Sequence, residues 1–183
     1  MTASIPSRVK VWDRTVRVLH WVLVLSVAVA WLSTLRFVDL HQPVGYVTLA
    51  VVLLRGVWGF VGGRYARFKQ FVRSPRATFV YLRQLLQRRE ARYIGHNPLG
   101  SWMILALMGC VSGLGLTGWL YTTDRFWGDA FVGGLHHALA WALLGMIALH
   151  VAGVILASIR HRENLVRAMV DGSKPSAQPL DID

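Results

Sequence analysis

Four apolar stretches, at about 16–35, 43–63, 98–121 and 132–159, each approach or exceed the roughly 20 residues that a helix needs to cross a bilayer. In a chain of 183 residues, 54% of them hydrophobic, such runs leave little length for a water-soluble core. The expected fold is all-α: an integral membrane four-helix bundle over residues 1–172, with a disordered C-terminal tail over 173–183. Pro43 and Asn97-Pro98 suit the first turns of the second and third helices. The start, MTASIPSRVKVWDR, lacks the order of a cleaved signal peptide, so the first apolar run is expected to remain as a helix.

The formal net charge of +11 separates by loop. Arg8, Lys10, Arg14 and Arg17 precede helix one, nine basic residues from Arg64 to Arg92 join helices two and three, and Arg160, Arg162, Arg167 and Lys174 follow helix four. The other two loops carry Arg36 and Arg125 with Asp39, Asp124 and Asp129. The positive-inside rule then places both termini in the cytoplasm of a multi-pass protein of the bacterial inner membrane. The basic residues serve topology and attraction to anionic lipid, and nucleic acid is not an expected partner. Within segment 64–97, Ser74-Pro75 is a helix start followed by Phe79, Leu82 and Leu86 on one side, which suits a helix on the inner membrane surface.

Histidines inside apolar spans are costly unless they coordinate or pair with something. In HHALAWALLGMIALH, His136 and His150 lie 14 residues apart. They therefore share a face to within about 40° and stand about 21 Å apart along a helix, whereas His137 diverges from His150 by about 140°. The topology gives them partners by depth: His20 with His150 on the cytoplasmic side, His41 with His136 on the external side. Two imidazoles from facing helices suit a six-coordinate haem used for electron transfer, and two such sites make an electron path across the membrane. The single cysteine, Cys110, excludes covalent C-x-x-C-H haem attachment, so the expected cofactors are two non-covalent b-type haems, bis-histidine ligated. Gly45 and Ala140, four residues after His41 and His136, leave room for a macrocycle. Leu143 and Ile147 are expected to fill the face between the two haem layers.

Arg55, 14 residues after His41, falls on the ligand face at the inner depth, where it can grip a haem propionate; the alternative is that it snorkels to the inner surface. His96 in GHNPLG can cap helix three, touch a propionate or line a quinone pocket. Gly109, Gly113 and Gly118, with Cys110 and Ser112, read as a close-packing surface on helix three.

The arrangement VRVLHW, HQPVGY with a late arginine, and HHALAWALLGMIALH resembles the prokaryotic cytochrome b561 family. WDRTVRVLHW, LLRGVWGFVGGRYARF, GHNPLG and RRENLVRAM are most similar to its branch related to the cytochrome b subunit of nickel–iron hydrogenases. The resemblance covers about residues 10–171 and implies two b-type haems with His20, His41, His136 and His150 as axial ligands, exchanging electrons with the quinone pool. This chain has His137 where other members often carry an acidic residue. The expected function is electron transfer between quinone and a periplasmic redox partner such as a c-type cytochrome. The alternatives are superoxide oxidation coupled to quinone reduction, and a cytochrome b subunit of a hydrogenase-like complex. No catalytic nucleophile or acid–base pair is visible, so any turnover is expected at quinone or at a partner surface. Besides lipid and quinone, a second copy of the chain, as a homodimer, stands among the candidate partners.

Overall fold

Three of the long helices begin where a polar side chain can satisfy the amides that a first turn leaves open. In the computed structural model, which describes residues 8–179 and 181–183, Asp13 accepts the Val16 amide at 2.8 Å ahead of α1 (Arg14–Arg36). Asn97 accepts the Gly100 amide at 2.7 Å ahead of α5 (Pro98–Tyr121), and Asp129 accepts the Val132 amide at 2.8 Å ahead of α6 (Ala130–Arg160). α2 (Val38–Val61) follows α1 after Phe37 alone. Among the described residues these are the four helices long and apolar enough to cross a membrane.

Two boundaries differ from expectation. Helix four starts two residues earlier than its apolar run because Asp129 caps it. Helix two starts at Val38, so Pro43 lies inside it and not in its first turn. The Phe37 carbonyl accepts the Leu40 amide at 2.9 Å and starts the turn early. Pro43 removes an amide that would have met the Asp39 carbonyl, and both residues are exposed, which keeps that loss small.

The chain divides into two compact units. One comprises the chain up to Arg17, Trp58–Ile104 and the chain from His150 onward; the other comprises Val18–Val57 and Leu105–Leu149. The second unit packs Val52, Cys110, Val111 and Leu143 with Leu23, Leu49, Leu139 and Ile147 around them. The small residues of α5 allow this: a Cβ on Gly113 would lie 3.2 Å from Leu139, and one on Gly115 would lie 2.7 Å from Leu49. Gly109 has no such neighbour, so it does not share the close-packing role expected of it. Cys110 donates its thiol to the Leu139 carbonyl at 3.3 Å.

The first unit contains the short α3 (Phe68–Phe71), α4 (Pro75–Leu86) and α7 (Leu165–Asp171), with β1 (Arg8–Lys10) paired antiparallel to β2 (Ser173–Pro175). Ser74 caps α4, as its sequence promised, by accepting the Ala77 amide at 3.2 Å. Gly172 ends α7 at φ 85°, and a Cβ there would meet the Trp12 carbonyl at 2.7 Å, so both conformation and space call for glycine. Val11, Trp12, Tyr65, Ile94 and Ala168 form this unit's apolar core.

The tail expected to be disordered is instead held at its described residues. Lys174 is 3% exposed and its Nζ meets Glu163 at 3.1 Å, while Arg92 bridges Glu163 at 3.0 Å and Asp181 at 2.5 Å. The Ile182 amide donates to the Arg92 carbonyl, and Asp183 accepts from Tyr65 and pairs with Arg64. Low apolar content argues for disorder only when the backbone and charges lack partners, and here strand pairing and complementary charge supply both.

Burial first, and then the nearby Glu90 charge, pushes the Tyr81 phenol up to about 12; burial and the hydrogen bond to Asp183 do the same for Tyr65. An unfolded tyrosine ionises near pH 10, so the folded state favours the neutral phenol. That stabilisation is complete below about pH 10 and is lost as pH rises through about 12. We expect tyrosinate absorbance to lag the model-compound curve, with unfolding setting in between these values; normal titration of all tyrosines with fold retained would contradict it.

Candidate functional site

Within the second unit, α2 and α6 bring His41 and His136 together, ring centroids 6.1 Å apart and planes at 77°. Two metal–imidazole bonds of about 2.0 Å, together with the two ring radii, account for about 6 Å, so the pair has the separation suited to one metal atom between them. Each ring is backed by a partner on its Nδ1. His41 Nδ1 is 2.9 Å from the Ala30 carbonyl and 3.5 Å from Ser33 Oγ; His136 Nδ1 is 2.9 Å from Thr117 Oγ1. With both Nδ1 atoms engaged, Nε2 is the nitrogen available for coordination.

The surroundings fit a bulky planar ligand. A Cβ placed on Gly45 would have nothing within 4 Å, and Ala140 is half-buried. Gly118 lets His136 approach α5, since a Cβ there would stand 3.3 Å from His136 Cε1. His137, the adjacent residue on α6, is exposed. Leu143 is buried and packs with Ile147 in the same unit.

The remaining candidates lie elsewhere. His20, in the second unit, is half-buried with its ring 5.4 Å from Trp21 and edge-on to it; Arg55, also in that unit, is 8% exposed. A burial that complete does not suit a guanidinium snorkelling to a surface. His150 belongs to the first unit and is half-buried. His96, in the first unit, packs between Trp12 at 4.5 Å and Phe71 at 4.7 Å. The capping role open to His96 belongs to Asn97, whose shorter side chain reaches the Gly100 amide.

Thr117, Ser33 and the Ala30 carbonyl, which back the two rings, carry no motif in the sequence. Thr117 and Ser33 are buried hydroxyls in apolar runs, the one available signal; a backbone carbonyl carries none.

The family described as prokaryotic cytochrome b561 matches residues 11–172. The chain belongs to that family. This b561 protein is accordingly a multi-pass prokaryotic membrane cytochrome of the b type, and its work is electron transfer. It is 28% identical to the probable Ni/Fe-hydrogenase B-type cytochrome subunit of Azotobacter vinelandii, over 90% of this chain and 87% of that protein. The protein of the same description from Bradyrhizobium diazoefficiens is 23% identical over 91% and 85%. That from Rhodobacter capsulatus is 24% identical over 91% and 81%. The branch suggested by WDRTVRVLHW and GHNPLG agrees with these relatives.

Proposed function

We propose that this b561 protein holds two haems b by bis-histidine ligation and passes electrons between the quinone pool and a periplasmic redox partner. The observation that carries the reading is the His41–His136 pair, with its spacing and its two occupied Nδ1 atoms. His20 and His150 are the proposed ligands of the second haem, on the strength of helical phase and of loop charge. Haem supplies reversible one-electron carriage at each site. The chain's own residues hold the macrocycle, with Gly45 and Ala140 leaving it space, and Arg55 provides a bidentate donor for a propionate. His96, packed at a tilt against Trp12 and Phe71, is the proposed contact for quinone or for a propionate.

Loop charge supports placing both termini in the cytoplasm and the protein in the inner membrane. On α4, Phe79 is 68% and Leu86 77% exposed beside Arg76 and Arg83, an arrangement that suits acyl chains and anionic headgroups. Purified protein is expected to show two haems per chain by pyridine haemochrome and reduction by ubiquinol. One haem or none would overturn the di-haem reading.

A second reading is a membrane subunit of a hydrogenase-like complex, favoured by the names of the relatives and by how much of their length is matched. Addition of hydrogen to native membranes discriminates. Prompt haem reduction that depends on this chain supports the complex; reduction by quinol alone supports the first reading.

A further inference from the structure

The two imidazoles of the His41–His136 pair are backed unequally. Thr117 Oγ1 lies 2.8 Å from the Gly113 carbonyl, 3.2 Å from the Leu114 carbonyl and 2.9 Å from His136 Nδ1. A hydroxyl has one hydrogen and a carbonyl can only accept, so the better-placed Gly113 carbonyl takes the Thr117 proton. The remaining contact must then run from the His136 Nδ1–H to the Thr117 oxygen. His41 Nδ1 faces the Ala30 carbonyl, which cannot donate, and so it too carries the hydrogen. Ser33 donates its own hydroxyl to that carbonyl at 2.8 Å. Both rings therefore carry a hydrogen on Nδ1, which leaves Nε2 as the nitrogen each would offer to a metal. His41 meets a carbonyl, a strong acceptor, at 2.9 Å, whereas His136 meets a hydroxyl, a weaker one, at that distance, with the Leu114 carbonyl also facing it.

A threonine in a helix commonly bonds the carbonyl four residues back, and the Gly113 contact is that ordinary bond. It leaves the lone pairs of Oγ1 free to accept. Gly118, the next residue, is where a Cβ would press on His136 Cε1. Thr117 and Gly118 together decide where the His136 ring sits and which nitrogen it presents.

We infer that Thr117 is a positioning residue for His136, setting its tautomer and its electron donation and so lowering the potential of the haem this pair would hold. This rests on the reading that His41 and His136 ligate haem. Accepting from Nδ1–H makes an imidazole more basic and stabilises the ferric state; loss of the acceptor weakens that donation.

The test is a redox titration with low-spin ferric EPR on purified, haem-loaded T117V and T117S. In T117V one haem's midpoint potential rises and its EPR signal shifts, the other haem is unmoved, and haem retention at the affected site weakens by about 10- to 100-fold. T117S, which keeps the hydroxyl, behaves as wild type. T117A carries the same expectation as T117V should the valine not assemble. Unchanged potentials and spectra with both haems held would overturn the inference, leaving Thr117 a back-bonding residue, with the Leu114 carbonyl that also faces His136 serving as acceptor. The ligation reading fails on a different result: two haems retained in His136→Ala, whatever the threonine variants do.

Discussion

On the proposed ligation we expect His136→Ala and His41→Ala each to lower the haem count from two to one, and His137→Ala to leave both. The rings of His41 and His136 stand 6.1 Å apart with their Nδ1 atoms engaged, so each alanine removes one of the two Nε2 atoms the pair would offer. His137 follows His136 by one residue, about 100° around the helix, and is exposed. The adjacent imidazole therefore cannot take over without unwinding α6. Pyridine haemochrome on each purified variant reads the count, and the surviving spectrum identifies the other haem. Retention of two haems in His136→Ala would place the ligand elsewhere.

The second large effect lies in the first unit. Glu163 is 9% exposed and bridges Arg92 at 3.0 Å and Lys174 at 3.1 Å. Glu163→Ala strands Lys174, 3% exposed, with no other carboxylate at salt-bridge distance among the described residues. Removing one member of a buried ion pair costs about 3–5 kcal/mol, because the remaining charge stays desolvated. Thermal unfolding should fall sharply, and β2 with the residues behind it should become open to protease. Replacing both partners, as in the double variant E163Q/K174M, should cost less than the two single changes added together, since neither charge is then left alone. A Glu163→Ala protein with wild-type unfolding and a protected tail would show that the strand pairing of β1 with β2 alone holds this segment.

Much of this architecture is written in one dimension. Four long apolar runs, basic residues concentrated in alternate loops and histidines 14 residues apart depend only on span length, charge and helical pitch, and they suffice for four spanning helices and for preferring His136 over His137 as the pairing partner. The family was legible for the same reason, since WDRTVRVLHW and GHNPLG are contiguous strings. Boundaries and the tail were less so. Pro43 inside α2 and the early start of α6 depend on which polar atom reaches which amide, and the tail on whether Lys174, Asp181 and Asp183 find Glu163, Arg92 and Arg64.

The sequence by itself determined the helices, the segregation of charge and the candidate ligands, because each follows from local pitch or composition. The tertiary structure alone decided what stands behind those ligands: the Ala30 carbonyl for His41, and Thr117 with Gly118 for His136. A hydrogen bond needs its two atoms within about 3 Å, and no spacing along the chain states which helices will meet at that distance.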